Sequence, residues 1–245
     1  METFDSAVCI SADFGLDYVP FVDGSFADAK SVFDRRMSGD ILTDWQADLF
    51  ITYMMIYISS KLKLKKWTMM LHFGALRNVN TSAFRISGPD FGYDAISQDT
   101  RTGSLALFLD HLNSNGILPH TILFSLSPGD DAVLDTLCGC FSEAGSKGLV
   151  QHGVSWWFND TLQGIRDHLV SYAALGVLGN HLGMLTDSRS LLSYVRHDYF
   201  RMILCDLLGE WTEKGQLLIP EEKTGELIRD ICYGNIKSYL GLVSP

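Results

Sequence analysis

The sequence predicts an α/β protein with a parallel sheet, because short apolar segments alternate with longer helical patterns along its 245 residues. Several of the short segments are apolar on both faces, as strands covered by helices on either side require. No linker, low-complexity tract or internal repeat interrupts this alternation. Residues 1–245 are therefore predicted to form a single domain.

Five segments have the length and composition of strands, and the first lies close to the start of the chain. They are residues 6–10, 67–73, 121–126, 149–155 and 181–186. Five strands are too few to close an eight-stranded (β/α)8 barrel. The chain also opens almost directly into a predicted strand, as a TIM-like barrel entered in its middle would, with the N-terminal strands missing.

Helical patterns fill the intervals between these strands and the end of the chain. They cover residues 26–36, 43–65, 105–113, 130–142, 162–175, 192–210 and 221–239. Asp130 and Asn159 stand where helix N-caps are expected.

Composition excludes several classes of protein. The chain is 47% hydrophobic and 20% charged, which is ordinary for a globular protein, and its net charge of −10 argues against binding to nucleic acid. Its five cysteines show no disulfide framework. No signal peptide is visible, and the most apolar stretch, residues 49–64, is shorter than the roughly 20 residues of a membrane span. A cytoplasmic protein is expected.

Polar side chains stand at the predicted strand ends, where α/β barrels carry their chemistry. His72 ends the second strand and can ligate a metal or transfer a proton. Trp156 and Trp157 follow the fourth strand and offer rigid apolar faces to a sugar. Asp187 and Arg189 follow the fifth strand, two residues apart, so they point to the same side. A carboxylate there suits a metal or a base, and a guanidinium suits a substrate carboxylate.

Structural explanations compete with each of these roles. Asp187 and Arg189 would also suit an ion pair that caps the next helix, and tandem tryptophans are more often part of a core. His152 is ambiguous in the middle of a strand. The remaining histidines, at 111, 120, 168, 181 and 197, show no partner at metal-ligand spacing. The pattern of residues alone therefore predicts a polar rim but no reaction.

Five longer sequence motifs resemble those of a known protein family. They are HFGALRNVN at 72–80, WWFND at 156–160, GMLTDSRS at 183–190, SYVRHDYFR at 193–201 and DICYGNIKSY at 230–239. In this order they closely resemble uronate (glucuronate) isomerase, a family of the amidohydrolase superfamily, over nearly the whole chain. The resemblance implies strands four to eight of a distorted TIM barrel.

The resemblance also implies an activity and its residues. The family interconverts aldehyde uronates and their ketoses, such as D-glucuronate and D-fructuronate, or D-galacturonate and D-tagaturonate. By motif, Asp187 is implied to be a metal ligand and proton-transfer group, and His72 a catalytic histidine near the metal. Arg189 is implied to bind the substrate carboxylate.

Further residues are implied to bind the sugar. Trp156 and Trp157 are expected to line the pocket, and Arg77 follows on the loop after His72. The family's cofactor is a divalent metal, with Zn²⁺ expected and Mn²⁺ as the alternative.

The chain departs from the family pattern at the metal. It contains no His-x-His pair, and it has Asp13-Phe14-Gly15 where the family typically has Asp-His-Gly. Three hypotheses stay open: part of a uronate isomerase, a non-catalytic remnant that binds sugar acids or another chain, and a hydrolase of the same superfamily. Open sheet edges would also allow the chain to self-associate.

Overall fold

The computed structural model describes residues 2–143, 145–154, 156–185 and 190–242. The chain forms two compact units, Met1–Thr121 and Ile122–Pro245. No helix among the described residues has both the length and the apolar composition to cross a membrane.

The first unit alternates helices with short strands. Its elements are α1 (Glu2–Ser6), β1 (Ser11–Gly15), α2 (Phe26–Met37), α3 (Asp44–Lys65), β2 (Thr68–Phe73), β3 (Ala75–Leu76), α4 (Thr81–Ser87), β4 (Ala95–Ile96) and α5 (Thr102–Ser114). Strands β1 and β2 pair in parallel, with Gly15 opposite His72. Strands β3 and β4 form a small antiparallel pair. The predicted α/β class is confirmed.

Capping residues explain where the two long helices of this unit begin. Ser25 precedes α2 and forms a capping box with Asp28, and Thr43 precedes α3 and forms one with Gln46. These side chains satisfy backbone N–H groups that have no partner within the helix. Helix α3 ends at Lys66, which adopts a left-handed conformation. The predicted boundaries of both helices are therefore accurate to within one residue.

The second unit contains the remaining elements. They are β5 (Thr121–Ser125), α6 (Asp131–Cys140), β6 (Val150–His152), α7 (Leu162–Leu175), α8 (Val195–Glu213), α9 (Glu221–Arg229), a π-helical turn (Asp230–Gly234) and α10 (Asn235–Tyr239). Its core packs α7 and α8 against the π-helical turn. The central buried side chains are Ile165, Leu169, Phe200, Leu204, Leu208 and Ile231.

Two predicted strands differ from the structure. Residues 2–6 form α1, and the first strand follows at Ser11–Gly15 rather than at 6–10. The described part of the predicted fifth strand, residues 181–185, has no strand geometry. Gly183 there has a φ of +71°, and its N–H donates to the Nδ1 atom of His181. A buried apolar loop and a buried strand share the same sequence pattern, and local hydrogen bonds decide between them.

The predicted helix caps at Asp130 and Asn159 also differ. Asp130 precedes α6 but makes no capping bond, because its carboxylate accepts a 2.5 Å hydrogen bond from Ser125 Oγ. The cap of α7 is Thr161, whose side chain accepts from the Gly164 N–H. Asn159 instead donates to the Leu126 carbonyl and fixes the segment after the tandem tryptophans.

Candidate functional site

His72 lies on β2 and is held by a carboxylate of the neighbouring strand. Its Nδ1 atom lies 2.7 Å from Asp13 Oδ1 on β1. An ionised carboxylate can only accept, so this bond places the ring proton on Nδ1 and gives Nε2 the lone pair. The His72 side chain is 13% exposed, whereas that of Asp13 is 62% exposed. The structure thus supplies an orienting partner for the predicted catalytic histidine.

Arg77 lies one residue beyond β3 and contacts Asp94, which precedes β4. The Arg77 Nη1 atom is 3.2 Å from Asp94 Oδ2, and the other oxygen of Asp94 accepts from the Asn78 N–H at 2.7 Å. The Asp94 side chain is almost fully buried and that of Arg77 is half exposed. The guanidinium predicted to bind substrate is therefore positioned by a buried carboxylate.

Trp156 and Trp157 begin a group of three aromatic rings in the second unit. Their ring centroids lie 5.9 Å apart, and the ring of Trp157 stacks on Phe158 at 4.7 Å. Trp157 has a φ of +49°, which is unusual for a bulky residue. Both tryptophans are partly exposed, so the pair is not simply core.

Asp187 and Arg189 lie outside the described residues. The described residues continue from Ser190, and an open groove of about 650 Å³ lies at the start of α8. Its lining includes Asp160, which ends the WWFND string, and Arg196 of the SYVRHDYFR string. These two side chains form an ion pair. The groove thus joins two of the strings that carry the resemblance.

A buried polar cluster in the second unit combines α6, β6 and α7. Asp131 Oδ1 lies 3.9 Å from His152 Nε2 and 3.8 Å from His168 Nδ1. One ligand atom from each of the three residues lies within 4.8 Å of the others, so the group can hold a metal ion. The two histidine side chains are 3% and 1% exposed, and the Asp131 side chain is 22% exposed.

Further side chains surround this cluster. His152 Nδ1 lies 2.7 Å from Asp135 Oδ1, and the other oxygen of Asp135 accepts from Ser171 Oγ. His168 Nε2 lies 3.0 Å from His181 Nε2. Burial lowers the pKa of His168, and it lowers the pKa of His181 further, helped by the neighbouring histidines. Both rings are therefore favoured in the neutral form.

The prediction that His168 has no partner at metal-ligand spacing was wrong, and the ambiguous His152 belongs to the same cluster. His181 contacts His168 but is not one of the three possible ligands. The contacts join residues 13 to 37 positions apart on three elements and a loop. No ligand spacing in the sequence could reveal them. Asp160 and Arg196 were also missed as site residues, although both lie within strings that carry the resemblance.

The fold and these contacts define an α/β protein that carries hydrogen-bonded histidine–carboxylate pairs on its strands. Comparison with known proteins narrows that class. The sequence model described as glucuronate isomerase matches residues 1–240. The chain therefore belongs to the glucuronate isomerase family.

Individual relatives agree with this family. The chain is 44% identical to a uronate isomerase of Caldanaerobacter subterraneus subsp. tengcongensis, over 99% of this chain and 52% of that protein. It is 42% identical to one of Caldicellulosiruptor bescii, over 98% of this chain and 52% of that protein. The crystal structure of a Thermotoga maritima uronate isomerase matches with a TM-score of 0.89 and 31% identity, over 98% of this chain and 51% of that one. The chain thus spans about half the length of these relatives.

Proposed function

We propose that this chain is part of a cytoplasmic uronate isomerase of hexuronate catabolism. The enzyme interconverts D-glucuronate and D-fructuronate, and D-galacturonate and D-tagaturonate. The observation that carries the proposal is the 44% identity to a uronate isomerase along 99% of the chain. The same proposal includes a single domain that forms strands four to eight of a barrel. Its open sheet edges would allow it to associate with another copy of the chain.

The reaction moves two protons without a redox cofactor. A base takes the proton from C2, and the electron pair left behind forms the C1=C2 bond of a cis-enediol. A proton then returns to C1, while the hydroxyl proton of O2 passes to O1. These steps need a base near C2, donors for the enediol oxygens, and an anchor for the distant carboxylate.

His72 fits one of these roles through the contact that the structure describes. Its bond to Asp13 fixes the imidazole tautomer and the orientation of the ring. A neutral Nε2 can accept the proton of a substrate hydroxyl and give it back to the neighbouring oxygen. Asp187 supplies the base at C2 in this proposal.

The other predicted residues bind the sugar acid. Arg189 holds the substrate carboxylate by two parallel hydrogen bonds, which only a guanidinium can offer. Trp156 and Trp157 cover the apolar face of the sugar ring. Arg77 is aimed by Asp94 and contacts the sugar oxygens.

The family's divalent metal, Zn²⁺ with Mn²⁺ as the alternative, would supply positive charge beside the enediol oxygens. Asp187 and His72 offer two ligands at the strand ends, whereas a catalytic zinc usually has three from the protein. The strand-end residues of this chain do not complete such a site. The proton transfers above are therefore assigned to side chains alone.

Complementation tests this function. The purified chain is mixed with the N-terminal half of a homologous uronate isomerase, and D-glucuronate isomerisation is followed with Zn²⁺ or Mn²⁺ added. We expect activity in the mixture, and a loss of at least about 10²-fold for Asp187→Asn, the lower end for a general acid–base group. Asp167→Asn, an exposed carboxylate on α7, is the matched control and should keep full activity.

The remnant hypothesis predicts a different outcome. It is kept as the second candidate because Phe14, which stands where the family typically has a histidine, can neither bind a metal nor move a proton. Isothermal titration with glucuronate separates the two. Micromolar binding to the chain, with no turnover in any soluble mixture, would support the remnant and contradict the isomerase. Hydrolysis of lactones or amides without isomerisation would instead support the third hypothesis.

A further inference from the structure

We propose that Asp131, His152 and His168 form a binding site for one divalent cation of the zinc class in the second unit. The ion would join α6, β6 and α7 through residues that have no assigned role in isomerisation. The proposal rests on the geometry of described residues and does not depend on the proposed activity.

The distances within the cluster suit an ion better than direct hydrogen bonds. Both histidine nitrogens face the same oxygen, Asp131 Oδ1, at 3.8 and 3.9 Å. These separations are too long for hydrogen bonds. Ligands about 2.0 to 2.1 Å from a tetrahedral zinc lie roughly 3.4 Å apart. The two histidine–Asp131 distances would need to shorten by only about half an ångström around an ion. All three ligand atoms already lie within 4.8 Å of one another.

A hydrogen bond at Nδ1 orients His152 so that its Nε2 atom can bind a metal. Its Nδ1 atom contacts Asp135 Oδ1 at 2.7 Å, and Ser171 Oγ donates to the second oxygen of Asp135 at 2.6 Å. A carboxylate that accepts from one ring nitrogen leaves the lone pair on the other, which here is the Nε2 atom facing Asp131. The carboxylates of Asp131 and Asp135 together also offset the charge of a divalent ion.

His168 adds a buried nitrogen that lacks a partner. In the part of the chain that the structure describes, the His168 Nδ1 atom is buried and has no hydrogen-bond partner. Leaving such an atom unsatisfied is unfavourable, and native proteins rarely do so. A ligand between the three residues would remove this deficit.

The hydrogen bonds behind His168 must rearrange when the ion binds. The Gly183 N–H donates to His181 Nδ1, so neutral His181 carries its proton on Nε2 and donates to His168 Nε2. Because His168 Nε2 accepts this hydrogen bond, the proton of neutral His168 lies on Nδ1. When a metal binds His168 Nδ1, the His168 proton moves to Nε2 and is donated to His181 Nε2. The proton of His181 then lies on Nδ1, so the hydrogen bond from the Gly183 N–H is lost. The loss of one neutral hydrogen bond is small beside the free energy of a structural zinc site.

The donor set also selects the kind of ion. Two imidazole nitrogens and one carboxylate oxygen suit zinc and its transition-metal neighbours, whereas magnesium and calcium prefer oxygen ligands. Entry is possible from the Asp131 side, which is the most exposed of the three. A water molecule would take the fourth position.

Cobalt and zinc binding to the full 245-residue chain tests the site. The protein is freed of metal with a chelator and titrated with Co²⁺, whose tetrahedral complexes absorb visible light, and then with Zn²⁺ in competition. We expect one tight equivalent and no thiolate charge-transfer band. Thermal unfolding should shift upward with Zn²⁺ and not with Mg²⁺.

Variants locate the ion. Asp131→Asn should weaken binding at least about 10-fold while preserving size, and His168→Gln should do the same. Asp167→Asn on α7 and Asp187→Asn should bind like the unaltered chain. Binding that survives both ligand variants, or that is lost in Asp187→Asn, would overturn the proposal, as would the absence of tight binding.

Nuclear magnetic resonance of the unaltered chain guards against variants that fail to fold. Zinc should shift the ring nitrogens of His152 and His168, and it should change the tautomer of His181 as the bond between the rings reverses. Ring signals that stay unchanged at saturating zinc would contradict the site even if no variant could be purified.

Discussion

The two units each contain a histidine bonded to an aspartate, and the two pairs differ mainly in their surroundings. In both pairs Nδ1 lies 2.7 Å from Oδ1. The carboxylate of Asp13 is 62% exposed, whereas that of Asp135 is completely buried and has a second donor in Ser171. Water can replace the first contact but not the second. The same bond can therefore orient a ring at little gain in stability, or support a buried cluster that the fold depends on.

The largest effect is expected when the buried carboxylate is removed. Asp135→Ala leaves His152 Nδ1 and Ser171 Oγ without their acceptor in a site closed to water. We expect the free energy of unfolding to fall by about 3 kcal/mol, within the range for breaking a buried charged contact. Urea unfolding of the metal-free chain measures this. A loss below about 1 kcal/mol would show that the buried pair contributes no more than a surface pair.

A smaller effect is expected from the hydroxyl that shares this carboxylate. Ser171→Ala removes one hydrogen bond to Asp135 and leaves the bond to His152 in place. The expected loss is about 1 kcal/mol, measured by the same urea titration. Ser6→Ala, whose exposed hydroxyl donates to the Thr3 carbonyl, is the comparison variant and should change stability less. A loss as large as that of Asp135→Ala would mean that the hydrogen bond from Ser171, and not the contact with His152, accounts for the stability contributed by Asp135.

The smallest effect on stability is expected at the exposed pair. Asp13→Ala should lower the free energy of unfolding by less than about 1 kcal/mol, because the Asp13 carboxylate is 62% exposed and largely solvated by water in the folded chain. Isomerase activity in the complemented enzyme should nevertheless fall about 10-fold, because the His72 tautomer is no longer fixed. Unchanged activity would remove His72 orientation from the proposed mechanism, and a large loss of stability would erase the contrast between the two pairs.

Much of the fold is local enough to be predicted from the sequence. Helices α2 and α3 are marked by capping residues, and α7 by its apolar periodicity, so their predicted ends agree with the structure. Residues 181–185 could not be assigned correctly, because the bond between Gly183 and His181 that shapes them leaves no mark on the apolar pattern. A hydrogen bond between residues only two apart, and not the apolar pattern, sets the conformation of this segment.

The candidate site residues also differ in whether the sequence could predict them. His72 could be selected because strand ends concentrate chemistry, but its partner Asp13 is 59 residues away. The Asp131 cluster offered no signal, since each of its ligands comes from a different element. Residue spacing reveals ligands that share a helix or turn, and misses ligands that meet only after folding.

Gly183 links two distant strings of the sequence in a way that bears on how they can evolve. A side chain there would place its Cβ atom 2.3 Å from the Ile231 carbonyl oxygen in the π-helical turn, and the φ of +71° already disfavours one. The backbone at 231 fits closely only because residue 183 has no side chain. A side chain at 183 would fit only if the backbone of the π-helical turn moved, so the GMLTDSRS and DICYGNIKSY strings are coupled through the main chain, whichever side chain stands at 231.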